Sequence, residues 1–471
     1  MNYSAAQHRG NRLKHGIRLW LEYVDSRSPR QLDKWLSERL RAEKKFGSKD
    51  RKFYSDLLFS ASRLVTATLF RDFLQREFCV AELNHFFHQD AHQREEQVFQ
   101  FTNSVQSEDL LWSAIRSLSG ELVITDASDA LASESNEPSA KGAISEFQYW
   151  LKDHVPAQSE EDFEKAGPLL LLAYGIPPSW APYFNRRRSQ NKWDFDQVLR
   201  FLASQNTRAP LWIRLNQLDR KQEVEQDLES HDLSVSWLNG GNAAIVSGSF
   251  GVYQCDSFKA GYFEVQDVAS QQIAAKVTCT PGEKIWDSCA GGGGKTVALA
   301  AALRGKGALY ASDIREHKLA EAKRRCQRAG FHNLRTFVWD GESVSGLPKE
   351  IYLQAGFDGV LVDAPCSSSG TWRRNPDARL RVSTPASRAE LFNLQLKLLT
   401  RASEQVRPGG RLVYGTCSWC VEENESIAEL FLSANSEFSS VSEDGSFGAL
   451  LGNPAHDADT MFAVSFERRV R

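Results

Sequence analysis

Two hydrophobic periods divide the chain. Up to about residue 120, apolar residues recur at three-and-four spacing, and Gly16 to Val24, Gln31 to Lys45 and Lys49 to Phe73 are predicted helices. Ser48 suits the N-cap of the third, with Asp50 in its first turn. From Gly261 onward, short apolar runs alternate with helical stretches. Strands are predicted at Lys284 to Asp287, Ala308 to Asp313, Leu334 to Trp339, Gly359 to Asp363, Arg411 to Thr416 and Met461 to Phe466. The helix from Glu316 to Ala329 runs into Gly330, a residue suited to a left-handed cap. The helix from Arg388 to Val406 is expected to stop before Pro408-Gly409-Gly410. This alternation predicts an α/β fold, a mostly parallel sheet with helices on both faces and ligands at the carboxyl ends of its strands.

Between the two patterns, Leu211 to Val246 carries short apolar runs around one helical stretch, Asp219 to Glu229, and reads as a small α+β module. Asp126 to Lys141 is rich in Ser, Ala, Asp and Glu, has no apolar period and reads as a linker. The expected organisation is a helical domain with an acidic linker over 1–165, a connector and α+β module over 166–255, and an α/β domain over 256–471.

Composition narrows the setting. A chain of 471 residues, 41% hydrophobic and 25% charged, suits two or three globular domains. A net charge of −3 means that a nucleic-acid partner would have to meet a local basic surface. The first residues lack the apolar core of a leader, and the longest apolar run, Leu169 to Ala173, is too short to cross a membrane. The eight cysteines show no zinc-like spacing. The expectation is a cytoplasmic protein with reduced thiols, no metal and no membrane partner, and nothing in the sequence calls for an obligate dimer.

The candidate chemistry lies in the last 200 residues. Asp287-Ser-Cys-Ala-Gly-Gly-Gly-Gly-Lys-Thr296 follows a predicted strand and opens a helix. Gly294-Lys295-Thr296 fits the end of a phosphate-binding loop, but Cys289 stands where that loop needs its first glycine. Four consecutive glycines meet only part of the dinucleotide fingerprint Gly-x-Gly-x-x-Gly. The third reading is S-adenosylmethionine. Asp313, 19 residues after Gly294, ends the second strand, where an acid binds ribose hydroxyls. Asp340 falls at the end of the third strand, beside the adenine edge, and Asp363 ends the fourth.

Two cysteines follow strand ends: Cys366 in Val-Asp-Ala-Pro-Cys-Ser and Cys417 in Tyr-Gly-Thr-Cys-Ser. A thiolate that adds to an electrophilic ring carbon of a pyrimidine makes the neighbouring carbon nucleophilic. Cytosine carbon 5 is inert until carbon 6 is attacked in this way. One cysteine would attack, the second would assist elimination, and Asp363 would meet ring nitrogen 3. Cys417 and Cys420 also form a Cys-x-x-Cys, whose redox reading requires a different context at the start of a helix. Cys79, Cys255, Cys279 and Cys326 read as small buried hydrophobes. Arg373, Arg374, Arg379 and Arg381, with Trp372, form a basic loop after Cys366, and Arg186, Arg187, Arg188 and Lys192 form a second cluster beside Tyr183, Phe184 and Trp193. Cations among aromatics suit a single-stranded nucleic acid, while a solvated loop is the simpler reading of the second cluster taken alone.

Together these segments resemble the RNA (cytosine-5)-methyltransferases of the Sun/Nop family, and most closely their bacterial RsmB-like branch. The resemblance runs over roughly 206–471: Asn206 to Asn216, Gln266-Asp267 with Ser270, the loop Cys289 to Thr296, Asp377 after Arg373-Arg374-Asn375-Pro376, Asp363-Ala-Pro-Cys366-Ser, and Thr416-Cys417-Ser418 with Glu422-Glu423-Asn424-Glu425. It implies a Rossmann-like methyltransferase sheet using S-adenosylmethionine. Cys417 would be the nucleophile and Cys366 the cysteine aiding release, the reverse of the DNA enzymes. Cys289, Ala290, Gly291, Gly292, Gly293, Gly294, Lys295, Asp313, Asp340 and Asp363 would line the cofactor pocket. Arg214, Arg373 and Arg374 would hold RNA. The substrate class implied is ribosomal RNA, with transfer RNA or a non-catalytic ribosome-assembly role as alternatives. Departures are Gly291-Gly292 for Ala-Pro, Ser368-Ser369 for Gly-Thr, Lys318 for an arginine, and Asp459-Thr460-Met461-Phe462 for Asp-Gly-Phe-Phe. The first 150 residues resemble a NusB-like RNA-binding domain through Gly47-Ser-Lys-Asp-Arg51 and the helix that follows.

Overall fold

A computed structural model describes residues 14–23, 31–43, 45–77, 167, 170–171, 174–238, 241–248, 251–342, 356–381, 385–441, 448–453 and 455–470. The predicted acidic linker over 126–141 and Cys79 lie outside these residues. The chain forms two compact units. One comprises residues 1–207 with 372–384, and the other 208–371 with 385–471. The division at 207/208 differs from the boundaries expected at 165/166 and 255/256.

The first unit is helical. Helices α1 (14–23), α2 (Leu32–Ala42) and α3 (Ser48–Glu77) bury a shared apolar cluster that includes Leu19, Trp20, Trp35, Leu36, Tyr54, Leu57 and Leu58. Ser48 is the first helical residue rather than the cap, and the Gly47 N–H donates to Asp50 Oδ2 at 3.1 Å. Helix α4 (Ala181–Asn191) is followed by α5 (Phe195–Ser204). A reciprocal capping box opens α5: Gln197 N–H donates to Asp194 Oδ1 and Asp194 N–H to Gln197 Oε1. Two of the aromatics beside the second basic cluster face inward, Phe184 and Trp193 packing on Phe201.

Residues 372–384 also pack in this unit. Arg379 is fully buried, and its guanidinium donates to the carbonyls of Arg63 (2.8 Å) and Gln205 (2.7 Å) and to Asn206 Oδ1 (2.9 Å). Burial, reinforced by neighbouring Arg63, pushes it down to about 9. The expectation that Arg379 reaches phosphate is therefore corrected: the guanidinium is buried and its Nη groups are taken by oxygens inside the protein.

The second unit begins with β1 (Leu211–Leu215), helix α6 (Lys221–Ser230), β2 (Ser234–Trp237), β3 (Ala243–Ser247) and β4 (Phe263–Val265). These strands form an antiparallel sheet of order β2-β3-β1-β4. Helix α7 (Val268–Ala275) leads into the large sheet, with Asp267 as its N-cap.

The large sheet comprises β5 (Lys284–Asp287), β6 (Ala308–Asp313), β7 (Leu334–Val338), β8 (Phe357–Asp363), β9 (Val406–Thr416), β10 (Phe438–Val441), β11 (Ala449–Gly452) and β12 (Thr460–Arg468). Its order is β10-β12-β9-β8-β5-β6-β7, with β11 on β12. Strands β5 to β9 are parallel, and β12 closes antiparallel on β9. Helices α8 (Gly294–Ala302), α9 (Glu316–Arg328), α10 (Pro385–Ser403) and α11 (Glu425–Ala434) complete the unit.

Adjacent strand residues enter opposite cores, as a sheet covered on both faces requires. Trp286, Val360 and Tyr414 join one apolar cluster, while Ile285, Leu361 and Val413 join the other. The chain leaves β5 for β6 on one side and reaches β8 on the other, so the strand order reverses at β5. Such a reversal opens a crevice at the carboxyl ends. Helix α10 stops before Pro408-Gly409-Gly410, as expected, at Ser403, but the segment lies inside β9, which starts at Val406 rather than at Arg411. The ladder between β8 and β9 is irregular there, and Gly409 takes φ +69°, a bulge that accommodates a proline.

Candidate active site

The glycine loop connects β5 to α8. Gly291 and Gly293 hold φ +51° and +84°, backbone that favours glycine. A Cβ on Gly293 would lie 2.6 Å from Ala322 of α9, so close packing also demands glycine there. A Cβ on Gly291 would meet nothing within 4 Å, which leaves that side of the loop open to a ligand. Arg325 braces the loop, donating to the Gly292 carbonyl (3.0 Å) and to Glu264 Oε2 of β4 (2.9 Å). The small sheet thereby supports the loop.

Two strand-end carboxylates flank it. Asp313 ends β6; its Oδ2 accepts from Gly291 N–H at 2.9 Å, and its Oδ1 from Arg315 N–H and Nε, both at 2.9 Å. Burial would raise Asp313, but these bonds outweigh it and hold the carboxyl below its usual range. Asp287 ends β5 fully buried, with Oδ2 accepting from Thr296 Oγ1 at 2.7 Å and Oδ1 lacking a partner among the described residues. Burial, with neighbouring Asp363, pushes it up to about 7 against the Thr296 bond.

Opposite the loop stand the two cysteines. Cys366 follows β8 and Cys417 follows β9, and parallel pairing of Asp363 with Gly415 brings the loops side by side. Both are free thiols, half-buried, with their sulfurs 3.2 Å apart. The Cys366 hydrogen bond draws Cys417 below the ordinary thiol value despite burial, helped by Ser368 and by the charge of Lys295. The same bond and burial push Cys366 well up. The shared hydrogen bond thus favours the thiolate form of Cys417 and the thiol form of Cys366. Lys295, in the first turn of α8, bonds Asp363 Oδ2 at 2.7 Å. Burial opposes its charge, but Asp363, Cys417 and Asp287 outweigh that and keep it protonated.

Beneath the cysteines lies a carboxylate to which the sequence reading assigned no role. Glu423 is 1% exposed and accepts from Ser367 N–H (2.8 Å), Ser367 Oγ (2.5 Å), Gln395 Nε2 (3.0 Å) and Ser418 Oγ. Ser367 and Ser418 each follow a cysteine, so one buried carboxylate ties both cysteine loops together. Asn424 adds to this brace, accepting from Thr416 Oγ1 and donating to the Ser418 carbonyl. The signal was present as an acid in Glu422-Glu423-Asn424-Glu425, but its partners lie far away in sequence.

The remaining expected residues are placed as follows. Asp340 lies exposed just past β7, capping Glu342 N–H at 2.9 Å. Arg214 is buried in the small sheet, its Nε donating to Gln266 Oε1 at 2.8 Å; burial lowers it to about 10. Its guanidinium is turned into the protein. Arg373, in the helical unit, is also buried and donates to the Thr207 carbonyl at 3.3 Å, while Arg374 is half-buried. Cys420 is buried against Ser369, so Cys417 meets Cys366 and not its Cys-x-x-Cys neighbour.

Comparison with known proteins bears on this geometry. Residues 274–462 match the family described as 16S rRNA methyltransferase RsmB/F. The chain is 33% identical over 255 residues to the probable ribosomal RNA small subunit methyltransferase B of Synechocystis, covering 53% of this chain and 56% of that protein. It is 32% identical over 258 residues to the ribosomal RNA small subunit methyltransferase B of Yersinia enterocolitica, covering 54% and 58%. The chain thus spans little more than half the length of the curated relatives it matches. Among solved structures, PH0851 aligns over 96% of this chain and 98% of its own, with TM-score 0.66 and 22% identity. A methyltransferase homolog protein from Pyrococcus horikoshii aligns over 64% and 99%, with TM-score 0.53 and 24% identity. At these identities the structures establish a shared fold. Among the described residues, no helix is long and apolar enough to cross a membrane.

Proposed function

With its α/β unit belonging to the Sun/Nop, RsmB/F methyltransferase family, we propose that this chain methylates carbon 5 of a cytosine in ribosomal RNA through a cysteine adduct at carbon 6. The observation that carries this reading is the pair of sulfurs, Cys366 and Cys417, 3.2 Å apart beside the Lys295–Asp363 ion pair. A methyltransferase acting on an unreactive pyrimidine carbon needs a nucleophile to activate the ring, and a neighbouring thiol can assist its release; one transferring to an oxygen or nitrogen needs neither.

S-adenosylmethionine is the cofactor, and the residues present fit it. The open side of Gly291, the N-terminus of α8 and the strand-end carboxylate of Asp313 form a cradle for an adenosyl group and its polar tail. Cys289 to Lys295, Asp313, Asp340 and Asp363 would hold it. When bound it supplies an electrophilic methyl group.

The chain's own residues do the rest. Cys417, drawn toward the thiolate, bonds to carbon 6 of the flipped-out base and makes carbon 5 nucleophilic. Asp363 meets ring nitrogen 3, where a proton stabilises the electron-rich adduct, and Lys295 orients Asp363. Loss of the carbon 5 proton to a base then breaks the bond between carbon 6 and the Cys417 sulfur, which leaves as a thiolate and frees the product. The protonated Cys366 beside it assists by donating to the departing sulfur.

Trapping the adduct tests the assignment. Cys366→Ala incubated with RNA and cofactor is expected to accumulate a protein–RNA species stable to denaturing electrophoresis, while Cys417→Ala yields neither adduct nor product. The reverse pattern would exchange the two roles.

A further inference from the structure

Ser368 combines an unusual backbone with an unusual neighbour. Five non-glycine residues among those described have positive φ: Lys192, Asp232, Thr278, Arg304 and Ser368. The first four lie just past helix ends, where a left-handed residue is a common way to stop a helix. Ser368, at φ +60°, lies instead between the end of β8 and a 3-10 turn over Ser369–Thr371. L residues with ordinary side chains seldom adopt this conformation.

The surroundings impose it. The Ser368 carbonyl accepts from both the N–H and the hydroxyl of Thr371, each at 3.0 Å. On one side Ser367 is fastened to Glu423; on the other Ser369 Oγ contacts Ser418 Oγ at 2.8 Å, and Gly370 N–H donates to the Cys417 carbonyl at 3.0 Å. Strained backbone this firmly held belongs to functional sites. What the conformation achieves is visible: Ser368 Oγ lies 3.6 Å from Cys417 Sγ, within hydrogen-bond range for sulfur. A hydroxyl accepts from a thiol and, turned about its own bond, donates to a thiolate.

We propose that Ser368 is a positioning residue whose hydroxyl holds and stabilises the Cys417 sulfur as an anion, an inference that rests on reading Cys417 as the nucleophile. Together with the Cys366 thiol it gives that sulfur two donors. Cys366 acts again at release, donating to the departing sulfur; Ser368 takes no part in proton transfer and remains. It keeps Cys417 directed while its partner acts.

The test uses Cys417 itself as reporter. Iodoacetamide alkylation of the full chain is followed from pH 6 to 10, with the Cys417 peptide quantified by mass spectrometry. Ser368→Ala removes the hydroxyl, and Ser368→Gly removes it while relaxing the backbone, so this variant is expected to melt no lower than the parent. In both, alkylation of Cys417 at pH 7 should slow about three- to tenfold and its midpoint rise by roughly half a unit to one unit. Methyl transfer should fall in parallel and recover at higher pH. An unmoved midpoint in both variants overturns the proposal. A moved midpoint, with methyl transfer surviving in Cys417→Ala, supports the hold of Ser368 on the sulfur and overturns the nucleophile reading instead.

Discussion

The glycine loop keeps its shape through backbone conformations that need a missing Cβ, whereas the two cysteine loops keep theirs through side-chain hydrogen bonds that reach across the chain. Both stand at the carboxyl edge of the same sheet. In the glycine loop, Gly293 and Gly291 carry the conformation and the polar braces are few. In the cysteine loops, Glu423 alone accepts four donors drawn from β8's loop, β9's loop and α10. Two of the buried carboxyls repeat the contrast: both oxygens of Glu423 are satisfied, while Asp287 has a donor on one oxygen and, among the described residues, none on the other. A loop that must approach a cofactor closely is built without side chains. Loops that must hold two sulfurs at a set separation are cross-linked beneath them.

Three substitutions sharpen that contrast. The largest effect is expected for Glu423→Ala, which leaves four buried donors without their acceptor and should lower stability by about 3 kcal/mol or more in urea unfolding. Turnover should fall further than stability requires, because the sulfur separation is no longer imposed; Glu423→Gln, which keeps an acceptor oxygen, should recover part of both. If Glu423→Ala melts and turns over as the parent does, the brace is not what holds the cysteines.

Gly293→Ala should follow, at about 2 kcal/mol, since the new methyl meets Ala322 at 2.6 Å and the backbone must leave φ +84°. Calorimetry should show cofactor affinity reduced at least tenfold while Cys417 alkylation is unchanged. Altered alkylation would mean that the two loops are not independently held.

The smallest effect concerns pH. The Asp287 carboxyl is raised to about 7 in the folded chain, so from roughly pH 4 to 7 the unfolded chain releases a proton that the folded chain retains. Stability therefore falls as pH rises through this window and levels off above it. Asp287→Asn stays neutral and should lose that slope, so its melting temperature should gain on the parent by a few degrees between pH 5 and 8. Parallel curves would assign the titration elsewhere.

Much of this was legible in the sequence, and the reasons are physical. The strands and helices of the large sheet follow from apolar runs punctuated by Gly and Asp, so β5, β6 and β8 end at the acids expected of them. The convergence of Cys366 and Cys417 follows from parallel strands with aligned ends. Pro408-Gly409-Gly410 misled because a bulge lets a strand absorb what ordinarily ends one. The basic residues misled because a guanidinium's partner cannot be read from its neighbours: Arg379 is held by carbonyls far along the chain, and Arg214 by Gln266. Glu423 and Ser368 were silent for the same reason, since each acts only through contacts that folding creates.

The central claim is methyl transfer to cytosine carbon 5. Its most direct test is transfer of tritiated methyl from S-adenosylmethionine to total RNA lacking 5-methylcytosine, followed by bisulfite sequencing. The account predicts label in ribosomal RNA at a single protected cytosine, absent with Cys417→Ala. Label without any protected cytosine, or equal labelling by Cys417→Ala, would contradict it.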